Sequence, residues 1–188
     1  MRIISGKYRG RKINPPANLP VRPTTDMARE ALFSIINSRL DFEDLRVLDL
    51  FCGAGTIAFE FISRGSPEVT AVDQNSRCLD FIRKTSEQFG MAGLRTMKAD
   101  AFRFLEGSRR QWDIIFADPP YVMKESLLIP GMVRELKLLS ADGLLIIEHP
   151  ADISFSSEPG FFDQRHYSRV QFSFFNFSDQ EETSTDEL

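Results

Sequence analysis

The sequence has few of the residues that most often declare a function on their own. It contains two cysteines, Cys52 and Cys78, and two histidines, His149 and His166, in 188 residues. Two thiols do not make a disulfide framework, and no His or Cys pair has metal-ligand spacing, so free thiols and no metal are expected. No apolar run approaches the roughly 18 residues that a membrane span needs. The opening MRIISGKYRGRK is basic, with no apolar stretch behind it to make a secretory signal. A cytoplasmic protein without a disulfide scaffold, a structural zinc or a membrane anchor is the expectation.

Each end of the chain lacks charge of one sign. Residues 1–22 carry Arg2, Lys7, Arg9, Arg11, Lys12 and Arg22 and no acid, whereas 178–188 carry Asp179, Glu181, Glu182, Asp186 and Glu187 and no base. The formal charge of −4 is therefore set by the tail, and without it the rest is +1. A negative total does not exclude a nucleic-acid partner when the basic residues cluster at one end. The tail SDQEETSTDEL has too little apolar surface to pack and reads as disordered.

No internal repeat is visible, and the length suits one domain with a short extension. From Leu45 on, short runs of Val, Ile, Leu and Phe alternate with amphipathic stretches, the pattern of a parallel sheet covered on both faces. Strands are predicted over 46–50, 68–72, 96–99, 112–117 and 143–148, and helices over 56–63, 76–89 and 125–139. The last helix is expected to stop before a turn-like SADG. The aromatic segment 161–177 alternates at Val170, Phe172 and Phe174, which suits a terminal antiparallel hairpin. Ahead of this α/β body, RIISGKYRGRKI reads as a short hairpin with Gly6 and Gly10 at turns, and 25–38 as a helix capped by Thr24 or Thr25. The chain divides into a basic hairpin-and-helix extension (1–44), an α/β domain (45–177) and the acidic tail (178–188).

The segment VLDLFCGAGTIAFEFISRG runs a buried strand through a glycine turn into a helix. Gly53 and Gly55 let the backbone turn sharply and a ligand approach closely. Asp73, eighteen residues beyond Gly55, ends the next strand, where an acid can hold both ribose hydroxyls of an adenosine moiety. Asp100, after the third strand, suits either a hydrogen bond from an adenine amino group or the cap of the following helix. Asp49, inside the first strand, is placed to face a cationic amino group. Cys52 lacks the neighbouring histidine of an activated thiol and reads as small filler.

In WDIIFADPPYVM an apolar strand ends in Asp118-Pro119-Pro120-Tyr121. Two prolines stop the strand rigidly and present the Asp118 carboxylate and the Pro119 carbonyl at the carboxyl end of the sheet, where open α/β folds bind ligands. An exocyclic amine on a nucleobase is a poor nucleophile because its lone pair is delocalised into the ring. Two acceptors that each take an N–H draw that lone pair out toward a methyl sulfonium, and Asp118 can take the released proton. Tyr121 offers a flat face for an extruded base.

With both motifs in place, the chain resembles class I methyltransferases that act on amino groups, specifically the RsmD-like family of small-subunit rRNA guanine-N2 methyltransferases. The resemblance rests on MRIISGKYRGRKI, RPTTDMAREALF, VLDLFCGAGTIAFEFISRG, FADPPY and GLLIIEH, in that order, and covers nearly the whole body. It implies a Rossmann-like fold with a seven-stranded, mostly parallel sheet, and S-adenosylmethionine as cofactor. Asp49, Phe51, Gly53, Gly55, Asp73, Gln74, Asp100, Ala101 and Asp118 are then cofactor-binding positions, and Asp118, Pro119, Pro120 and Tyr121 catalytic ones. The implied partner is 16S rRNA in the small ribosomal subunit or its assembly intermediate, met by a monomer. Lys7, Arg9, Arg11 and Lys12 would meet phosphates, and Arg22, Thr24, Thr25, Asp26 and Arg29 would close over the substrate. One departure is visible: Met27 stands where the family carries a basic residue, so either Arg29 on the next turn substitutes for that phosphate contact or the contact is lost.

Three rival activities fit parts of the pattern. The same chemistry could act on adenine N6 in DNA or on another rRNA guanine, though the chain has no separate target-recognition domain. A non-catalytic ribosome-assembly factor would not need Asp118-Pro-Pro-Tyr. A nicotinamide oxidoreductase shares the glycine turn, but nothing in FADPPY serves hydride transfer. Neither His149 nor His166 is required for transfer from a sulfonium.

Overall fold

A computed structural model describes residues 1–17, 19, 25–167 and 170–178. Arg22, Thr24 and the acidic tail beyond Ser178 lie outside the described residues. Seven strands form one sheet: β1 Arg46–Leu50, β2 Glu68–Asp73, β3 Leu94–Lys98, β4 Trp112–Ala117, β5 Leu139–His149, β6 Phe161–Tyr167 and β7 Val170–Phe175. Their order is β3-β2-β1-β4-β5-β7-β6. Strands β1 to β5 pair in parallel, and β7 runs antiparallel to both β5 and β6. This is the seven-stranded, mostly parallel sheet with a terminal hairpin that the sequence implied.

The helices are α1 Asp26–Asn37, α2 Thr56–Arg64, α3 Ser76–Phe89, α4 Ala101–Gly107 and α5 Ile129–Glu135. Alternation along the strands divides the core in two. Val47, Ile114, Phe116, Leu144 and Ile146 face α1, α2 and α3, while Leu48, Ile115, Ala117, Leu145 and Ile147 face α4 and α5. A sheet buried on both faces is why these strands read as continuous apolar runs. Phe33 of α1 and Phe61 of α2 meet edge to face at 4.7 Å and tie the first helix to the body.

Three expected boundaries move. The helix predicted over 125–139 is a 3-10 turn at Lys124–Leu128 followed by a short α5, because Pro130 lacks the N–H that an interior position must donate and is accepted only in the first turn. The SADG segment is not a turn after that helix but lies within β5. There the register against β4 jumps from Trp112↔Leu139 to Ile114↔Leu144, so the extra residues form a bulge. The third strand likewise begins two residues before its expected start, at Leu94.

The amino-terminal hairpin is a strap on the body. A single bridge among the described residues pairs Arg2 with Lys12, and Ile3, Tyr8 and Ile13 are buried in the core on the α1–α3 side. The buried Glu60 of α2 accepts the Ile4 and Ser5 N–H groups at 2.9 and 3.0 Å and also binds Arg64. At the turn, Gly6 has φ +81°, and a Cβ there would stand 1.8 Å from the Ser63 carbonyl oxygen. Only glycine fits so close to α2.

Candidate functional site

The carboxyl ends of β1, β2, β4 and β5 open into a cavity of about 930 Å³. Its floor follows from backbone geometry. After β1 the chain turns through Phe51 and Gly53, both at positive φ (60° and 51°), and Gly55 at 75° starts α2. A positive φ at a phenylalanine is strained, and it is held here because Phe51 packs edge-on against Phe102 while lining the cavity.

The acids around this turn hold it in shape. Asp73 accepts the Gly53 N–H at 2.9 Å through one oxygen and the Asn75 N–H at 2.7 Å through the other. Each oxygen keeps a second lone pair for a ligand hydroxyl. Asp49 is buried and accepts the Ala58 N–H at 3.2 Å. Burial pushes its carboxyl up to about 8, although the Ala58 hydrogen bond acts in the other direction. A cation beside it would favour the ionised form. The expected cap is present at Asp100, which accepts the Arg103 N–H at 3.0 Å and the Gln74 amide at 2.6 Å.

Asp49, Phe51, Gly53, Asp73, Gln74, Ala101 and Asp118 share the cavity wall, whereas Asp100 and Gly55 do not. Asp100 reaches the site through Gln74, and Gly55 packs beneath the turn, where a Cβ would stand 2.6 Å from Ile82. Cys52 is buried and its thiol is pushed well up by that burial and by Asp49 and Asp73, which fits filler and not a nucleophile.

Asp118, Pro119, Pro120 and Tyr121 line the same cavity beyond β4, which flanks β1 on the side away from β2 and Asp73. Asp118 is half-buried, its N–H reaching the Leu50 carbonyl at 3.4 Å, and the Met123 N–H closes a turn onto the Pro120 carbonyl at 2.8 Å. A sulfonium cofactor fits such a site, since it needs a carboxylate for ribose hydroxyls, an acid for its ammonium and a largely apolar wall.

The expected RNA contacts separate into groups. Thr25 lines the cavity and caps α1 by accepting the Ala28 N–H. Lys7, Arg9, Arg11 and Lys12 are exposed on the strap. The tip of the strap reaches the far end of α2 and α3, where the Tyr8 hydroxyl donates to the Gly90 carbonyl, so Lys7, Arg9 and Arg11 are away from the cavity mouth, while Lys12 pairs with Arg2 at the base of the strap. Asp26 is paired with Arg2 and Arg29. Arg29 does not replace the missing phosphate contact. Its side chain is fully buried, donating to Asp26 at 2.6 Å and to the Arg2 carbonyl at 2.8 Å, and no phosphate reaches it there.

Arg165 and Tyr167 of the terminal hairpin read from sequence as either RNA contacts or packing, and Tyr167 lines the cavity with Val170. Met1 and Glu148 line it too and escaped the sequence reading. Glu148 carried a signal, being a carboxylate at an inward position of an apolar strand, whereas Met1 comes from a distant part of the chain. His149 is structural: Nδ1 lies 3.0 Å from the Pro150 carbonyl, Nε2 lies 2.7 Å from the Ser173 hydroxyl, and burial lowers its pKa.

Comparison with known proteins identifies the family. The family described as conserved hypothetical protein 95 matches residues 1–176. Ribosomal RNA small subunit methyltransferase D of Buchnera aphidicola subsp. Baizongia pistaciae is 30% identical over 150 residues, covering 79% of this chain and 75% of that one. The protein of the same name from Escherichia coli K12 is 26% identical over 162 residues, covering 85% and 79%. A solved hypothetical protein from Thermus thermophilus superposes with a TM-score of 0.81 at 26% identity, covering 94% of this chain and 99% of that one. The chain belongs to the conserved hypothetical protein 95 family, the RsmD family of S-adenosylmethionine-dependent methyltransferases.

Proposed function

We propose that the protein transfers a methyl group from S-adenosylmethionine to the exocyclic N2 amine of a guanine in small-subunit rRNA. The observation that carries this reading is the meeting of two walls in one cavity. The Asp73–Gly53 turn lies on one side and the Asp118-Pro-Pro-Tyr corner on the other. The names of the relatives support small-subunit rRNA as the substrate.

The cofactor supplies an electrophilic methyl on a sulfonium. Asp73 would hold the ribose hydroxyls, Asp49 the ammonium group, and Phe51 and Ala101 the apolar part. Asp118 and the Pro119 carbonyl accept the two N–H groups of the target amine, so the nitrogen pyramidalises and its lone pair turns toward the methyl. Asp118 takes the proton after transfer. Tyr121 supports the extruded base by stacking. The exposed Lys7, Arg9, Arg11 and Lys12 hold rRNA phosphates along the strap. A cytoplasmic monomer acting on a subunit or its assembly intermediate completes the reading.

The test is methyl incorporation from labelled S-adenosylmethionine into hypomethylated small subunits, followed by nucleoside analysis. N2-methylguanosine is expected. A different methylated nucleoside rejects the base assignment, and absence of incorporation rejects the substrate.

A further inference from the structure

Glu148 has no place in the chemistry above, yet it is positioned beside it. In the β4–β5 ladder Ala117 pairs with Ile147, so Asp118 and Glu148 are the next residues on two adjacent parallel strands, roughly 4.8 Å apart. They share a face, because the preceding inward residues Phe116 and Ile146 both belong to the core on the α1–α3 side. Glu148 is 3% exposed, lines the same cavity as Asp118 and Tyr121, and is braced from the far side by Phe172 of β7. A buried carboxylate is costly, and a packing role alone would be served by another apolar residue such as those at 144–147. Both acids already take part in polar contacts, but a carboxylate offers about four lone pairs, so further donors can be accepted.

We propose that Glu148 reads the target base by accepting its N1–H, and so selects guanine. The inference rests on the amine-methylation reading of the cavity. Guanine presents two donors side by side on its pairing edge, N1–H and the N2 amine. With N2 held at Asp118, N1–H points toward the neighbouring strand, where Glu148 stands. Adenine, or any base whose N1 is an acceptor, would set that lone pair against a carboxylate and withhold the donor that guanine brings into a dry site. Discrimination against a missing donor is strong because the polar group it should meet remains buried. Glu148 touches no group that changes bonding in the reaction; its effect is on which base is accepted.

The experiment compares guanine with 2,6-diaminopurine, which keeps the 2-amine but carries an acceptor at N1. Small subunits are rebuilt with rRNA holding either base at the position that the wild-type protein methylates. The wild-type protein should favour guanine by at least about 100-fold in kcat/KM. In Glu148→Gln the amide can turn to donate to an N1 acceptor, so the preference should fall by at least about tenfold while cofactor affinity is unchanged. Equal use of both bases by the wild-type protein, or an unchanged preference in the variant, overturns the inference and leaves the methylation reading standing. Absence of N2-methylguanosine from the wild-type reaction overturns both. A folded variant that loses cofactor affinity places Glu148 at the cofactor and overturns the inference; if circular dichroism shows that the variant has lost its fold, the wild-type preference decides alone.

Discussion

The Asp73 carboxylate holds the Gly53 N–H at 2.9 Å across twenty residues of sequence, so the acid expected to bind a ligand also builds the turn on which that ligand would rest. Asparagine has only one acceptor oxygen and cannot serve both Gly53 and Asn75. Asp73→Asn should weaken S-adenosylmethionine binding by about 10- to 100-fold in calorimetry, through the loss of one hydrogen bond and of a ribose acceptor. An affinity within threefold of wild type would remove Asp73 from the cofactor site.

Asp49 makes stability depend on pH. Its folded pKa of about 8 lies above the ordinary 3.8, so the native state keeps a proton that the unfolded chain loses. The stability contribution is fully present below pH 4 and is lost as pH rises toward 8. Denaturant titration of the cofactor-free protein should show this decline, and Asp49→Asn should flatten it. A cation opposite Asp49 favours its ionised form, so cofactor binding at pH 7 should release protons in wild type and not in the variant.

Met27 is 62% exposed in the first turn of α1, close to the capping Thr25 that lines the cavity. A longer basic side chain has room to reach a phosphate there. Met27→Arg should tighten binding to small-subunit rRNA several-fold near 0.1 M salt and steepen the log–log salt dependence by about one unit. An unchanged salt slope would place this turn away from the RNA.

Glu60→Ala should cost about 3 kcal/mol, because two strap N–H groups and Arg64 lose their shared acceptor in a buried place. The melting temperature should fall by roughly 6–12 °C. Hydrogen exchange at Ile4 and Ser5 should rise well before the rest of the domain opens. Uniform exchange would mean that the strap is held by its apolar residues alone.

Asp118→Ala should abolish methyl transfer while cofactor affinity stays within a few-fold of wild type, since the groups expected to hold the cofactor lie mainly on the β1–β2 side. Filter-binding of labelled methyl to rRNA and calorimetry together measure this. Transfer at more than a tenth of the wild-type rate would remove Asp118 from the reaction centre.

The α/β body was legible because burial on both faces writes strands as apolar runs, and glycine or proline marks where each ends. Gly53, Asp73 and Asp118-Pro-Pro-Tyr were legible as local patterns with a chemical reason for their spacing. The position of the strap was not, since nothing local in KYRGRK shows that Glu60 and Ser63 will hold it to a helix. Arg29 was misplaced for a related reason: an arginine looks exposed in sequence, and its burial follows from Asp26 and the Arg2 carbonyl folding onto it. The β5 bulge hid behind SADG, which has turn chemistry but sits in a strand. Glu148 was passed over because its meaning comes from the strand beside it.

Strand order also sets the sequence in which the two walls can be completed during synthesis. The Gly53–Asp73 turn needs only β1, β2 and α2, which emerge early. The wall holding Glu148 lies on β5, whose outer edge is covered by β7 and not by β6, the strand made next. That edge stays unpaired, an open template for other chains, until Phe175 has left the ribosome. Chains cut short before 175 should therefore be the sticky ones.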